Sequence, residues 1–115
     1  MNKIIYYKED RPWGSFEQFA KNESVTVKII TVKQGEAFSL QTHAQREEFW
    51  RVLSGAGKIT LGEITETLQI GKDYHIEKGM KHRIEAGDEN VVILEVARGN
   101  FDEEDIIRLD DKYGR

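Results

Sequence analysis

Between residues 25 and 98 the chain breaks into short apolar or alternating runs separated by glycine-bearing turns, a pattern that predicts strands rather than helices. Val25-Thr-Val-Lys-Ile-Ile-Thr-Val-Lys33 is rich in β-branched residues and ends at Gln34-Gly35. Further runs follow at 38–43, 49–53, 58–61, 66–70, 74–76, 82–86 and 91–96, with turn residues at Ser54-Gly-Ala-Gly57, Gly62-Glu63, Gly71-Lys-Asp73, Lys78-Gly79 and Gly87-Asp-Glu-Asn90. Many short strands with regular turns form a sandwich, a barrel or a jelly roll, and periodicity alone leaves that choice open. Residues 1–24 read as a strand-like arm around the only proline, Pro12, followed by a turn at Lys21-Asn-Glu-Ser24. Trp13 and Phe16 on this arm are too large and apolar to stand free without cause, so they are expected against the barrel or against another subunit. In the tail, 99–115, an Asp precedes carboxylates and then apolar residues over 102–109, which predicts a short helix or turn.

Composition narrows the picture. A chain of 115 residues is one domain, with the arm, a barrel core over 25–98 and the tail as its parts. With 38% hydrophobic and 33% charged residues it has the balance of a globule. It has no apolar run long enough to span a membrane and no signal-peptide pattern, so a cytoplasmic location without membrane contact is expected. The absence of cysteine excludes disulfides and thiolate sites and confines any metal to imidazole and oxygen donors. A net charge of −4, with Lys and Arg spread along the chain, argues against nucleic acid as a partner. An anionic small molecule needs only a few local cations, which Arg46, Lys81 and Arg83 could supply.

The candidate chemistry gathers in the stretch 35–55. Gln41 and His43 are two apart and would project from one face of a strand, while Glu48 opens the next apolar run. His82 heads a later run, so two imidazoles, an amide and a carboxylate make a plausible four-ligand metal site. Trp50 and Val52 share the inward parity of Glu48 and read as pocket wall. His75 falls outside these groups and reads as structural or exposed.

The spacing of these residues resembles the two motifs of the cupins. The first runs Gly35, five residues, Gln41-Thr42-His43, four residues, Glu48, six residues, Gly55, with Gln in place of the first His. The second runs Gly71, five residues, Glu77-Lys78-Gly79, two residues, His82, three residues, Ala86, with Glu for Pro and Ala for Asn. A narrower likeness, to the type II phosphomannose isomerase domain, rests on Arg11-Pro-Trp-Gly-Ser-Phe-Glu17, Ser39-Leu-Gln-Thr-His43 with Arg46, Glu48 and Trp50, Lys81-His-Arg83, Glu103-Glu-Asp-Ile-Ile-Arg108 and Asp111-Lys-Tyr-Gly-Arg115. In that family the first cupin His is itself Gln.

The resemblance implies an all-β cupin jelly-roll barrel, or double-stranded β-helix, and a homodimer. It implies a divalent metal on Gln41, His43, Glu48 and His82, zinc first, with manganese, cobalt, nickel or iron as alternatives. Arg46 would be the catalytic arginine, with Lys81 and Arg83 holding substrate. The activity implied is aldose–ketose isomerisation of a sugar phosphate, foremost mannose 6-phosphate and fructose 6-phosphate. No base for the proton transfer is identifiable, and Glu48 is a poor one if it ligates. Family members are often the C-terminal half of a bifunctional enzyme, and with no room here for the other half nucleotidyl transfer is expected to be absent. Ala44, Gln45 and Phe49 stand where those members commonly carry His, which implies a less polar pocket. The alternatives are a metal-dependent oxygenase on the same scaffold, since histidines and a carboxylate also suit Fe(II), and a non-catalytic sugar-binding module.

Overall fold

Eleven strands make up the regular structure of residues 6–111, the part of the chain that the computed structural model describes. β1 (Tyr7–Arg11) and β2 (Gly14–Gln18) pair as a hairpin around Pro12-Trp13. β3 (Val25–Val32), β10 (Val91–Gly99), β5 (Arg46–Ser54) and β8 (Asp73–Ile76) form a four-stranded sheet in that order. Opposite it lie β11 (Ile107–Asp110), β4 (Leu40–Thr42), β9 (His82–Ala86), β6 (Gly57–Leu61) and β7 (Ile64–Thr67). All pairings are antiparallel. No helix among the described residues is long and apolar enough to cross a membrane.

The alternation anticipated for the runs is the alternation that builds the barrel. On β9, His82, Ile84 and Ala86 point in and are buried. On β5, Glu48, Trp50 and Val52 do the same, each 1% exposed. Register then sorts the interior into tiers. Ile30, Ile93 and Val52 lie side by side across three strands as an apolar floor, and the neighbouring row is Lys28, Glu95 and Trp50. Burying the floor stabilises the fold by roughly 1.5–3 kcal/mol per large aliphatic side chain; the row above it is chemistry.

β5 is buried without interruption from Arg46 to Trp50 because it is covered on both faces. Its outward Phe49 packs beneath Tyr6 and Phe19, with ring centroids 6.3 and 5.5 Å away. Outward Glu47 is buried 3.2 Å from His75 Nε2 on β8, so His75 belongs to the outer face and not to the interior.

Two expectations are met in part: the tail has its turn at 103–104 but also a strand, and Trp13 lacks the barrel cover that was one of its two expected settings. The tail is a turn followed by a strand: Asp102 does cap locally, its carboxylate accepting the Glu104 N–H at 2.9 Å, but the residues after it pair with β4 instead of coiling. Trp13 is not covered by the barrel of its own chain. It stands at the hairpin tip 72% exposed, while Phe16 packs within the hairpin against Tyr7 and under Arg11. Residues 1–5 and 112–115, including most of the terminal motif, lie outside the described residues.

Gly55 closes the β5–β6 turn with φ +100°, and a Cβ there would sit 2.1 Å from the Asn90 carbonyl oxygen. Gly62 also has positive φ, +60°, but open space around it. Gly55→Ala should therefore cost about 2–4 kcal/mol, strain and overpacking together, while Gly62→Ala costs about 1 kcal/mol. Thermal unfolding of the two variants checks this; equal losses would refute the packing argument.

Candidate functional site

At one end of the barrel, side chains from both sheets converge on a cleft of about 140 Å³. β4 delivers Gln41 and, one residue past its end, His43; β5 delivers Glu48; β9 opens with His82, whose Cα pairs with that of Gln41. His43, Glu48 and His82 are all buried, and their donor atoms lie within 4.8 Å of one another. His43 Nε2 is 3.8 Å from one Glu48 oxygen and His82 Nε2 is 3.9 Å from the other. Two donors each about 2.1 Å from a shared ion can be at most about 4.2 Å apart, and both separations fall inside that limit.

The imidazoles are already in the tautomer a metal needs. His43 Nδ1 lies 2.7 Å from the Asp105 carbonyl oxygen and His82 Nδ1 lies 2.9 Å from that of Met80. A carbonyl only accepts, so both Nδ1 atoms carry the proton and both Nε2 lone pairs face the cluster. Burial holds the His82 pKa below the usual histidine value, keeping it neutral. Gln41 donates its amide N–H groups to Ser39, to the carbonyl at 3.1 Å and the hydroxyl at 3.2 Å, which leaves its carbonyl oxygen for the cleft. Two imidazoles, a carboxylate and an amide oxygen suit a divalent ion of the zinc-to-iron series.

The electrostatics centre on Glu48. Burial pushes its pKa up, but the Arg46 hydrogen bond and the neighbouring His82 outweigh that and hold the carboxyl below its ordinary value. Arg46 Nε donates to Glu48 Oε2 at 2.8 Å and Nη2 to His43 Nε2 at 3.1 Å, while Nη1 reaches the Asp102 carbonyl at 3.2 Å. Trp50 Nε1 donates to Glu48 Oε1 at 3.0 Å and more weakly to Glu95 Oε1 at 3.3 Å. Glu95 takes the opposite course: desolvation, then the charge of Glu48, raise its pKa to about 8, so at neutral pH it keeps its proton.

Not every anticipated residue comes to this cleft. Lys81 is turned to Glu63, 2.6 Å away at the surface, and Arg83 donates to the Phe38 carbonyl and to Asp110. The structure places these two, expected to hold substrate, away from the residues that line the cleft: Arg83 alternates outward from inward-facing His82 and ties β9 to the segment before β4 and to β11. The cations that do line the cleft are Arg46, Lys28 and Arg108. The three positions read as lost imidazoles are also placed. Phe49 is on the outer face, and Ala44 and Gln45 are exposed in the β4–β5 turn, where both backbone N–H groups donate to the Asp105 carboxylate at 2.9 Å. Their side chains therefore do not set the polarity of the cleft. Asp105, Glu95 and Lys28 were not singled out from sequence; inward parity with Ile93 and with Ile30 was the available signal for the last two.

Two antiparallel sheets closed on a buried His–Glu–His cluster define a cupin, and a cupin protein from Bacteroides fragilis shares the architecture with a TM-score of 0.60 at 28% identity, over 65% of each chain. Within that class the chain belongs to the family described as mannose-6-phosphate isomerase C-terminal, which residues 2–111 match. It is 38% identical over 107 residues to the xanthan biosynthesis protein XanB of Xanthomonas campestris pv. campestris, covering 91% of this chain and 23% of that protein. It is 39% identical over 114 residues to a mannose-1-phosphate guanylyltransferase of Salmonella montevideo, covering 97% of this chain and 24% of the relative. The chain thus spans about a quarter of the length of these relatives.

His43→Ala and His82→Ala should each weaken divalent-metal binding by more than the roughly 10- to 100-fold that loss of an outer hydrogen-bond partner costs, and Asp105→Ala, which frees the turn carrying His43, should fall within that range. Competition against a chelator with zinc or cobalt provides the measurement. Undiminished binding by both histidine variants would dismiss the ligand set.

Proposed function

We propose that this cupin is a metal-dependent aldose–ketose isomerase of a sugar phosphate, with mannose 6-phosphate and fructose 6-phosphate as the pair. The reading is supported by the family match across residues 2–111 together with a preorganised oxygen and imidazole cluster inside the barrel. Gln41, His43, Glu48 and His82 would hold the metal. When bound, such an ion acts as a Lewis acid on the carbonyl and adjacent hydroxyl oxygens of the sugar.

Isomerisation moves one proton from C2 to C1 and one between the two oxygens, through an enediol. The chain's own contribution is to fix the sugar's oxygens and to exclude water around them. Phe38, Trp50 and His82 wall the interior, with Phe38 and His82 both edge-on to Trp50. With the His43 lone pair committed to a metal, the Nη2 donor of Arg46 is left for an oxygen of the substrate, and burial makes that hydrogen bond strong.

Arg46→Ala should lower kcat/KM for mannose 6-phosphate by at least about 30-fold, corresponding to about 2 kcal/mol for loss of one partner of a buried charged pair. Arg46→Lys should recover only part of it, since an ammonium keeps the charge and loses the fork. Coupled assay of fructose 6-phosphate formation at matched metal occupancy measures both. Sugar-phosphate binding with no turnover by the metal-loaded wild type would make the protein a binding module instead.

The reading includes a homodimer. Trp13 on the arm and the outward Val27 and Ile29 of edge strand β3 leave large apolar side chains open, more than half exposed in each case. A second copy of the chain is the occupant we assign to them. Trp13→Ser combined with Val27→Glu should convert the dimer to monomer in sedimentation velocity; an unchanged sedimentation coefficient would reject this contact.

A further inference from the structure

Lys28 is an anomaly of the barrel interior. It occupies the inward register of β3 that otherwise holds Ile30 and Val32, beside Glu95 of β10. A lysine here must run its stem along the apolar wall and bring its ammonium to the cleft mouth. About a third of the side chain, 35%, remains open. Its Nζ sits 4.2 Å from the centre of the Phe101 ring, and the Arg46 guanidinium packs on the same ring at the same distance. Phe101 thereby fixes two cations in the cleft, and Arg108, on β11 opposite Gln41, lines it as a third.

The three cations are not equivalent. Arg46 is 6% exposed and each of its three nitrogens already has a partner, in Glu48, His43 and Asp102. The partner of Lys28 is different: Glu103 Oε1, at 2.8 Å, belongs to a side chain 76% exposed. An exposed single-oxygen ion pair of this kind contributes about 0–1 kcal/mol and is readily exchanged. A phosphate dianion offers three oxygens and a second charge to the same ammonium and still has oxygens for a forked guanidinium.

We propose that Lys28 and Arg108 form the phosphate subsite of the cleft, which Glu103 occupies until a phosphomonoester displaces it. This rests on the sugar-phosphate reading for its choice of ligand, and it divides the work of the cleft: the phosphate is held at the mouth by Lys28 and Arg108, while Arg46 and the ligand set take the sugar's oxygens below. Phe101 is a positioning residue that keeps the ammonium in place.

Inorganic phosphate and mannose 6-phosphate, titrated calorimetrically into zinc-loaded wild type, Lys28→Met, Arg108→Gln and Glu103→Gln, test it. Lys28→Met and Arg108→Gln should each weaken binding of both compounds by about tenfold or more. Glu103→Gln should tighten it a few-fold, because no carboxylate competes. All variants should retain wild-type zinc affinity. Should Lys28→Met fold poorly, Arg108→Gln, altered at an exposed strand position, still decides. Wild-type phosphate affinity in Lys28→Met and Arg108→Gln would overturn the subsite. Phosphate binding that depends on Lys28 without isomerisation of any sugar phosphate would uphold the subsite and remove the isomerase reading instead.

Discussion

A carboxylate inside a barrel must be compensated or it will take up a proton, and Glu48, 1% exposed, is the group around which this interior is arranged. Desolvation alone would neutralise it. Arg46 and the Trp50 indole N–H occupy its two oxygens. The second carboxyl of the site, Glu95, has no comparable donor set and meets the field of Glu48, so it remains protonated where Glu48 does not. Two like residues on adjacent strands are thereby driven to opposite charge states by their surroundings.

Strand register supplies the frame for that arrangement. One step along the inward positions of β3, β10 and β5 separates an apolar row, Ile30–Ile93–Val52, from a polar row, Lys28–Glu95–Trp50. The closed end of the barrel carries cohesion and the open end carries charge. A slip of one residue in any of these strands would turn its inward side chains to the other face, and on β5 the outer cover opposes it: Phe49 is held beneath Tyr6 and Phe19, and Glu47 beside His75.

What could be read from the residues alone follows from the same geometry. Gln41, His43, Glu48 and His82 stand at spacings that two-residue periodicity and a short turn bring to one face, and the strands around them show as β-branched runs between glycines. Glu95 and Lys28 belong to no spaced motif; each is one polar residue inside an alternating run, visible only if inward parity is carried past Ile93 and past Ile30. Lys81 and Arg83 were drawn toward the site by proximity in sequence to His82, and strand alternation sends Arg83 the other way. The tail misled for a different reason. Asp102 forms the local cap its sequence promises, but β11 depends on pairing with the distant β4, Ile107 opposite Thr42, which no local pattern reports.

Arg46 shows why a motif can name a residue without naming its role. Its place between His43 and Glu48 implied a loop side chain reaching for substrate, yet the guanidinium is buried and donates to the lone pairs on His43 and Glu48 that a metal would take. A divalent cation held by His43, Glu48 and His82 would compete with Arg46 for those lone pairs. Until then the Arg46 hydrogen bond helps to hold the Glu48 carboxyl below its ordinary pKa despite burial. On the isomerase proposal, the Nη2 donor so released would stay beside the cluster, on a side chain that lines the cleft, where an oxygen of the substrate would accept from it.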